Sequence, residues 1–113
     1  MATIFHITTR ESWKRAQAEG IYRAESLATE GFIHCSTREQ VVRTANRFFR
    51  AQKGLVLLSI DTDGVAPEIR YENSEGDGEM FPHIYGELNT TAVKRVSEFE
   101  PDGEGLFALP EQS

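Results

Sequence analysis

The order of local signals along the chain predicts an α+β fold. Strand-like and helix-like segments alternate in the first half, and strand-like segments dominate the second half. The 113 residues include 39% hydrophobic and 27% charged side chains, which is an ordinary globular composition. A chain of this length has the size of one domain and can bury a hydrophobic core. We therefore expect a single domain over residues 1–113, with the last few residues frayed.

The first strand and helix are predicted over residues 3–8 and 10–19. Residues 3–8 are mostly β-branched or aromatic, as is typical of a strand. Thr8 and Glu11 have the spacing of a capping box, which places a helix start after Thr8. Gly20 suits the left-handed position that commonly follows a helix. A short extended piece and a helical turn are expected to follow.

The second long helix, over about residues 37–52, has the clearest pattern. A short strand over 32–36 precedes it, and Ser36 with Glu39 has capping-box spacing. Gly54 is expected to end the helix. The apolar side chains of one helical face are Val41, Val42, Ala45, Phe48 and Phe49.

The second half of the chain reads as a series of strands. Residues 55–61 are apolar on both alternating faces, as in a central strand that is buried on both sides. Residues 68–72, 81–85 and 92–100 follow as further strands. Residues 73–79 form an acidic connection with two glycines, which is either a lid over a ligand or a simple hairpin loop.

Charge and composition exclude several classes of protein. The formal net charge of −6 argues against a protein that coats extended nucleic acid. The longest apolar run, residues 55–58, is far shorter than the ~20 residues that span a bilayer. A single cysteine, Cys35, forms no internal disulfide, so a reducing, cytoplasmic setting is expected. The oligomeric state is not readable from these features.

Three histidines lie in matching contexts inside short apolar strands. Because strand side chains alternate, His6 shares a face with Thr8, His34 with Ser36, and His83 with Tyr85. In one interpretation the three imidazoles point into a common cleft, where they donate and accept hydrogen bonds near neutral pH. In the other, each is a half-buried histidine bonded to a nearby carbonyl group.

Two rival chemistries, a zinc site and a cysteine nucleophile, are disfavoured by residue spacing and strand geometry. The histidines lack the short-spaced ligand pairs of most zinc sites, so no metal site is predicted. His34 and Cys35 are adjacent in a strand and point to opposite faces, so His34 cannot activate the thiol, and Cys35 is expected in the core.

Charged side chains offer two further candidates. Glu72 ends a strand beside aromatic residues, and it is either an acid–base group or an exposed edge residue. Arg43, Arg47 and Arg50 form a stripe that either binds phosphates or faces solvent. The first half of the chain is net positive and the second half net negative, which favours a small phosphate-bearing ligand over a long polyanion.

Several strings together resemble the bacterial family known as domain of unknown function 952. The resemblance covers the chain from about Ile4 to Phe107. The family commonly has proline at the position of Glu87, so Glu87 is not expected to be catalytic. The strings are residues 4–8 (IFHIT), 31–37 (GFIHCST), 45–49 (ANRFF), 55–61 (LVLLSID), 71–72 (YE) and 81–86 (FPHIYG).

The resemblance implies a fold similar to that of ADP-ribosyltransferases, with two small, roughly perpendicular sheets forming a cleft beside helices. Enzymes of that fold split NAD at the nicotinamide–ribose bond. In this comparison His6 takes the first catalytic place, His34 or Ser36 the second, and His83, Tyr85 or Glu72 the third. Thr8 and Arg47 join Ser36 and Tyr85 as candidate substrate-binding residues.

Two main functions follow from this interpretation. The first is a transferase that uses NAD or a nucleotide, related to ADP-ribosyltransferases or RNA 2′-phosphotransferases. The second is a non-enzymatic module that binds a nucleotide-like ligand in the same cleft. Neither requires a resident cofactor, because NAD would be a substrate. A metal-dependent enzyme and an interaction domain without a site are the remaining alternatives.

Overall fold

The computed structural model describes residues 2–73 and 78–110. Residues 74–77, within the predicted acidic connection, and the C-terminal residues 111–113, where fraying is expected, lie outside the described residues. The helices are α1 (Arg10–Glu19), α2 (Glu25–Glu30) and α3 (Arg38–Phe48). The strands are β1 (Thr3–Thr9), β2 (Ile21–Tyr22), β3 (Ile33–His34), β4 (Leu55–Asp61), β5 (Glu68–Glu72), β6 (Phe81–Tyr85), β7 (Leu88–Asn89) and β8 (Val93–Phe99).

The described strands form three antiparallel sheets. One has the order β1-β4-β8 and is called the β4 sheet; another has the order β3-β6-β5 and is called the β6 sheet. A two-stranded ribbon, β2-β7, is the third. The α+β class is therefore confirmed, whereas the expected count of two sheets missed the ribbon. Its strands have two residues each, too short to leave an alternating pattern in the sequence.

The β4 sheet separates two apolar clusters. Successive residues of β4 alternate between them: Val56 and Leu58 pack in one cluster, and Leu55 and Leu57 in the other. All four side chains are essentially inaccessible to solvent. This confirms the prediction of a central strand buried on both faces. Cys35 lies in the first cluster, as expected of a small core residue.

Residues 33–36 join the two larger sheets. Ile33 and His34 pair with β6, and the backbone N–H of Cys35 donates to the carbonyl of Pro82 at 3.0 Å. Ser36 then exchanges two backbone hydrogen bonds with Phe5 of β1, both of 2.8 Å. This short segment therefore places β1 of one sheet beside β3 and β6 of the other.

The helix caps lie one residue later than the sequence predicts. The side chain of Thr9, rather than Thr8, accepts the N–H of Ser12 at 3.1 Å, because β1 extends through Thr9. Thr37, rather than Ser36, caps α3, and Gln40 Oε1 accepts the N–H of Thr37 at 3.0 Å. Strand pairing holds Thr8 and Ser36 in the sheets instead.

Helix α3 ends at Phe48, four residues before the predicted end. Ala51 adopts a left-handed φ of 66°, and its N–H donates to the carbonyl of Gly105 at 2.9 Å. The early end also changes the predicted apolar face: Val41 and Ala45 are buried, whereas Phe48 is exposed. In the described part of the chain, no helix has the length and apolar character needed to cross a membrane.

Candidate functional site

The three histidines lie side by side where the two larger sheets meet. His34 of β3 stands directly opposite His83 of β6, so both side chains are on the same face of the β6 sheet. Their ring centroids are 5.3 Å apart in an edge-to-face arrangement. His6 of β1 reaches the same place, and its Nδ1 lies 2.5 Å from the carbonyl oxygen of His34. The fold thus brings together side chains that are far apart in the sequence.

His6 has both ring nitrogens engaged. A carbonyl oxygen only accepts, so Nδ1 carries the hydrogen and donates to His34 O. Burial lowers the pKa of His6 to about 4, so the ring is neutral near pH 7. Nε2 therefore accepts from the hydroxyl of Tyr22, 2.7 Å away. Tyr22 Oη is also 2.9 Å from Thr8 Oγ1, and it accepts from this hydroxyl because its own hydrogen goes to His6.

Glu72 orients the imidazole of His83. Glu72 Oε1 lies 2.9 Å from His83 Nδ1 and 2.5 Å from the hydroxyl of Tyr85. The hydrogen bond from Tyr85, followed by that from His83, lowers the pKa of Glu72. The carboxylate is therefore ionised near neutral pH and accepts the Nδ1–H of His83. Nε2 is then the ring nitrogen of His83 that Glu72 does not engage.

His83 Nε2 is buried without a hydrogen-bond partner among the described residues. The ring itself is only 1% exposed, because Phe32 stacks on it with a centroid distance of 4.0 Å and an interplanar angle of 17°. Buried polar atoms are nearly always satisfied, so an exception needs an explanation. One explanation for the unsatisfied Nε2 is that it forms a hydrogen bond with a group of a bound ligand.

His34 is the exposed member of the trio. Its side chain is 46% accessible, and Nε2 lies 3.1 Å from Oε2 of Glu30, the last residue of α2. The edge of its ring contacts Phe32 at a centroid distance of 4.9 Å. His34 is therefore placed to touch a ligand, whereas its carbonyl group holds His6.

A cavity of about 500 Å³ lies beside these histidines, within the size range of small-molecule sites. Its walls come from β1, the segment joining the sheets, α3 and β6. Of the predicted substrate-binding residues, Ser36 and Arg47 line it, and Thr8 and Tyr85 are not among its described lining residues. The lining residues are Phe5, His6, Ile7, Glu30, His34, Cys35, Ser36, Arg43, Thr44, Arg47, Phe48, Phe49, Glu79, Phe81 and His83.

The predicted arginine stripe is only partly on the cavity. Arg43 and Arg47 line it, and Arg43 forms an ion pair with Glu79. The guanidinium of Arg47 lies 5.0 Å from the ring centroid of Phe48. Arg50 lies beyond the end of α3 and contacts the carbonyl of Glu104 at 3.4 Å, because the helix ends early.

Phe32, Tyr22, Gln40 and Glu79 contact residues of the site and were absent from the predicted set. Phe32 shares the strand face of His34, so its position was readable, but its stacking on His83 depends on β6. Tyr22 lies in a two-residue strand without a local pattern. Gln40 and Glu79 come together only through the packing of α3 against the segment before β6.

Within the described ranges, no three His, Cys, Asp or Glu side chains come together as candidate metal ligands. The cavity lining offers imidazole, hydroxyl, guanidinium and aromatic groups, together with the carboxylates of Glu30 and Glu79 and the thiol of Cys35. Of these, guanidinium and imidazole groups bind anionic ligands, and aromatic rings bind flat ligands.

Residues 7–96 match the family described as "Protein of unknown function (DUF952)", and the chain belongs to that family. It is also similar to protein CC0527 from Caulobacter crescentus. The crystal structure of CC0527 has 34% sequence identity and a TM-score of 0.86, with 95% of this chain and 94% of that chain covered. Its solution structure has 33% identity and a TM-score of 0.85, covering 100% and 97%. No curated protein matches the chain.

Proposed function

We propose that the cavity binds a small phosphate-bearing, nucleotide-like ligand and that His83 acts on it as a general base in a transferase reaction. The observation that supports this is His83 itself: it lines the cavity, its Nδ1 is fixed by Glu72, and its Nε2 is buried without a partner among the described residues. An imidazole oriented by a carboxylate is the arrangement that enzymes use to take a proton from a nucleophile. Glu72 is the positioning group for this base.

The substrate in this proposal is NAD, or a 2′-phosphorylated RNA end in the related phosphotransferase reaction. That choice follows from the fold similar to that of ADP-ribosyltransferases that the family resemblance implies. The cavity offers Arg43 and Arg47 for phosphate groups and Ser36 for a ribose hydroxyl. Its aromatic lining, which includes Phe48 and Phe81, suits a flat heterocycle.

With NAD the transfer balances as follows. The bond between ribose C1′ and nicotinamide breaks, and nicotinamide leaves as a neutral molecule with the bonding electron pair. An acceptor oxygen or nitrogen bonds to C1′, and its proton passes to Nε2 of His83. The ionised Glu72 stabilises the imidazolium that forms.

His6 supports this site without touching the ligand. Its two ring nitrogens bond to His34 O and Tyr22 Oη, so neither is open to a ligand. In this proposal His6 is a positioning residue that holds the backbone of His34 beside the cavity. The side chain of His34 is then the second imidazole available to a ligand, at the mouth of the cavity.

The same observation on His6 favours a second candidate function. One of three expected catalytic imidazoles is sealed and neutral, which reduces the set of groups that can assist bond cleavage. A module that binds ADP-ribose or a related ligand without turnover needs only the cavity and its polar walls. The two functions share a pocket and differ in product formation.

The test is nicotinamide release from NAD, and phosphate transfer from 2′-phosphorylated RNA, with binding of ADP-ribose measured alongside. His83→Asn keeps a side-chain N–H for Glu72 and removes Nε2, so it should lower turnover by roughly 10²–10⁴-fold while ADP-ribose still binds. Glu72→Gln should also lower turnover, because it removes the negative charge that orients His83, and Glu68→Gln on the same strand is its matched control. Binding without product by the unmodified protein refutes the transferase and leaves the binding module. Absence of both refutes the two functions together.

A further inference from the structure

The carboxylate of Glu79 lies in the wall of the cavity, next to hydrogen-bond donors from α3. Its Oε2 accepts from the guanidinium of Arg43 and lies 3.2 Å from Nε2 of Gln40. Arg43 and Gln40 are three residues apart on α3, so their side chains lie next to each other on one face of the helix. Both donors therefore converge on one carboxylate oxygen.

Gln40 is held so that its donor group faces this position. The residue is buried, and its Oε1 accepts the N–H of Thr37 at 3.0 Å. Its Nε2 donates to the carbonyl of Met80 at 2.8 Å and has a second hydrogen directed to Glu79. The amide cannot turn over without losing these contacts, so the donor is in place before any ligand arrives.

The ion pair between Arg43 and Glu79 is open to competition. The side chain of Arg43 is 62% accessible and that of Glu79 is 35% accessible. Exposed ion pairs contribute little free energy because water screens both charges. A phosphate carries more charge than a carboxylate and has more acceptor oxygens, so it is the stronger partner for a guanidinium and an amide donor.

We infer that Glu79 holds the position of a ligand phosphate, and that a pyrophosphate-bearing ligand binds by displacing Glu79 from Arg43 and Gln40. The inference rests on the proposed function in that it concerns the same cavity. It adds that Glu79 is the residue that competes with the ligand and that the ligand must carry a phosphate group. The phosphate would then lie one helical turn from Arg47 and near the exposed ring of Phe48, both of which line the cavity.

The experiment is calorimetric titration of the full chain with inorganic pyrophosphate, with ADP and with uncharged adenosine. Glu79→Gln removes the competing charge and should tighten pyrophosphate and ADP binding by roughly threefold to fivefold, the effect that one exposed ion pair supports. Arg43→Gln should weaken both by at least that factor. Adenosine binding should change in neither variant, because adenosine has no phosphate.

Two controls separate this effect from net charge. Glu39→Gln changes the charge as Glu79→Gln does, and Arg50→Gln changes it as Arg43→Gln does, and neither residue lines the cavity. Equal affinities for Glu79→Gln and Glu39→Gln, weaker binding by Glu79→Gln, or no pyrophosphate binding by any variant would overturn the inference. The proposed transfer reaction fails separately, since an inactive protein with Glu79-dependent pyrophosphate binding still supports the displacement.

Discussion

His34 and His83 are direct cross-strand partners with rings 5.3 Å apart, yet one is half exposed and the other is sealed. The difference comes from their surroundings on one face of the β6 sheet. Phe32 stacks on His83 and meets His34 only by an edge. His83 is on the central strand of that sheet and bonds to Glu72, which in turn accepts from Tyr85, whereas His34 is on an edge strand.

This arrangement predicts unequal chemical reactivity of the histidines. Diethyl pyrocarbonate should modify His34 first, and His6 and His83 much more slowly, because only His34 is open to solvent. Phe32→Leu removes the stacked ring and should raise the rate at His83 several-fold. Phe48→Leu, in an exposed cavity residue, is the control and should leave that rate unchanged. Mass spectrometry of the modified peptides measures each site, and early modification of His83 in the unmodified protein would contradict the prediction.

Tyr22→Phe should destabilise the protein by about 1–3 kcal/mol, because it leaves Nε2 of His6 buried without its hydrogen-bond donor. Urea unfolding followed by fluorescence measures the change. Tyr71→Phe removes a hydroxyl from an exposed tyrosine and should change the free energy of unfolding by less than about 0.5 kcal/mol. Similar values for the two variants would show that the contact between Tyr22 and His6 contributes nothing.

The stability of the protein should rise with pH between about 4 and 6.5. Burial lowers the pKa of His6 to about 4 in the folded chain, from an ordinary value of 6.5. In this window the unfolded chain binds a proton that the folded chain does not, so acid favours unfolding. The full effect is about 3 kcal/mol, present above pH 6.5 and lost as the pH falls towards 4.

Urea unfolding at a series of pH values measures this slope. His6→Asn keeps a donor for the carbonyl of His34 and cannot titrate, so its profile should be flatter over the same window. The NMR signal of the His6 ring gives an independent readout, since it should not shift between pH 7 and 5. A shift centred near pH 6.5 would contradict the sealed, neutral state of His6.

Tyr85→Phe should raise the pKa of Glu72. The hydrogen bond from Tyr85 is the largest cause of the lowered pKa of that carboxyl, and the bond from His83 is the next. A carboxyl group whose pKa is lowered by folding stabilises the folded state at pH values above its ordinary pKa, and this stabilisation is lost in acid. The variant should therefore lose less stability on acidification than the unmodified protein. A carbon-detected NMR titration of the Glu72 carboxyl measures the shift directly. Tyr71→Phe again serves as the control, and an unchanged Glu72 titration in Tyr85→Phe would refute the role of the hydroxyl.

The local sequence pattern predicted most of the secondary structure. It failed where strand pairing determines an element or its first residue. The strands β1, β4, β5 and β6 lie at or within one residue of their predicted ranges, because their alternation is long enough to read. The ribbon β2-β7 was not predicted as a sheet, because a strand of two residues is too short to show an alternating pattern. The caps at Thr9 and Thr37 lie one residue late, because strand pairing holds Thr8 and Ser36.

The sequence by itself determined that the chain has an α+β fold and that each histidine faces the same side as its neighbours two residues away. Strand alternation is a local property, so it needs no knowledge of the rest of the molecule. The tertiary structure alone decided what each imidazole can do. His6 is sealed by groups from β2 and β3, and His83 is oriented by Glu72 of β5. Hydrogen-bond partners and burial come from distant segments, and these partners determine which ring nitrogen can reach a ligand.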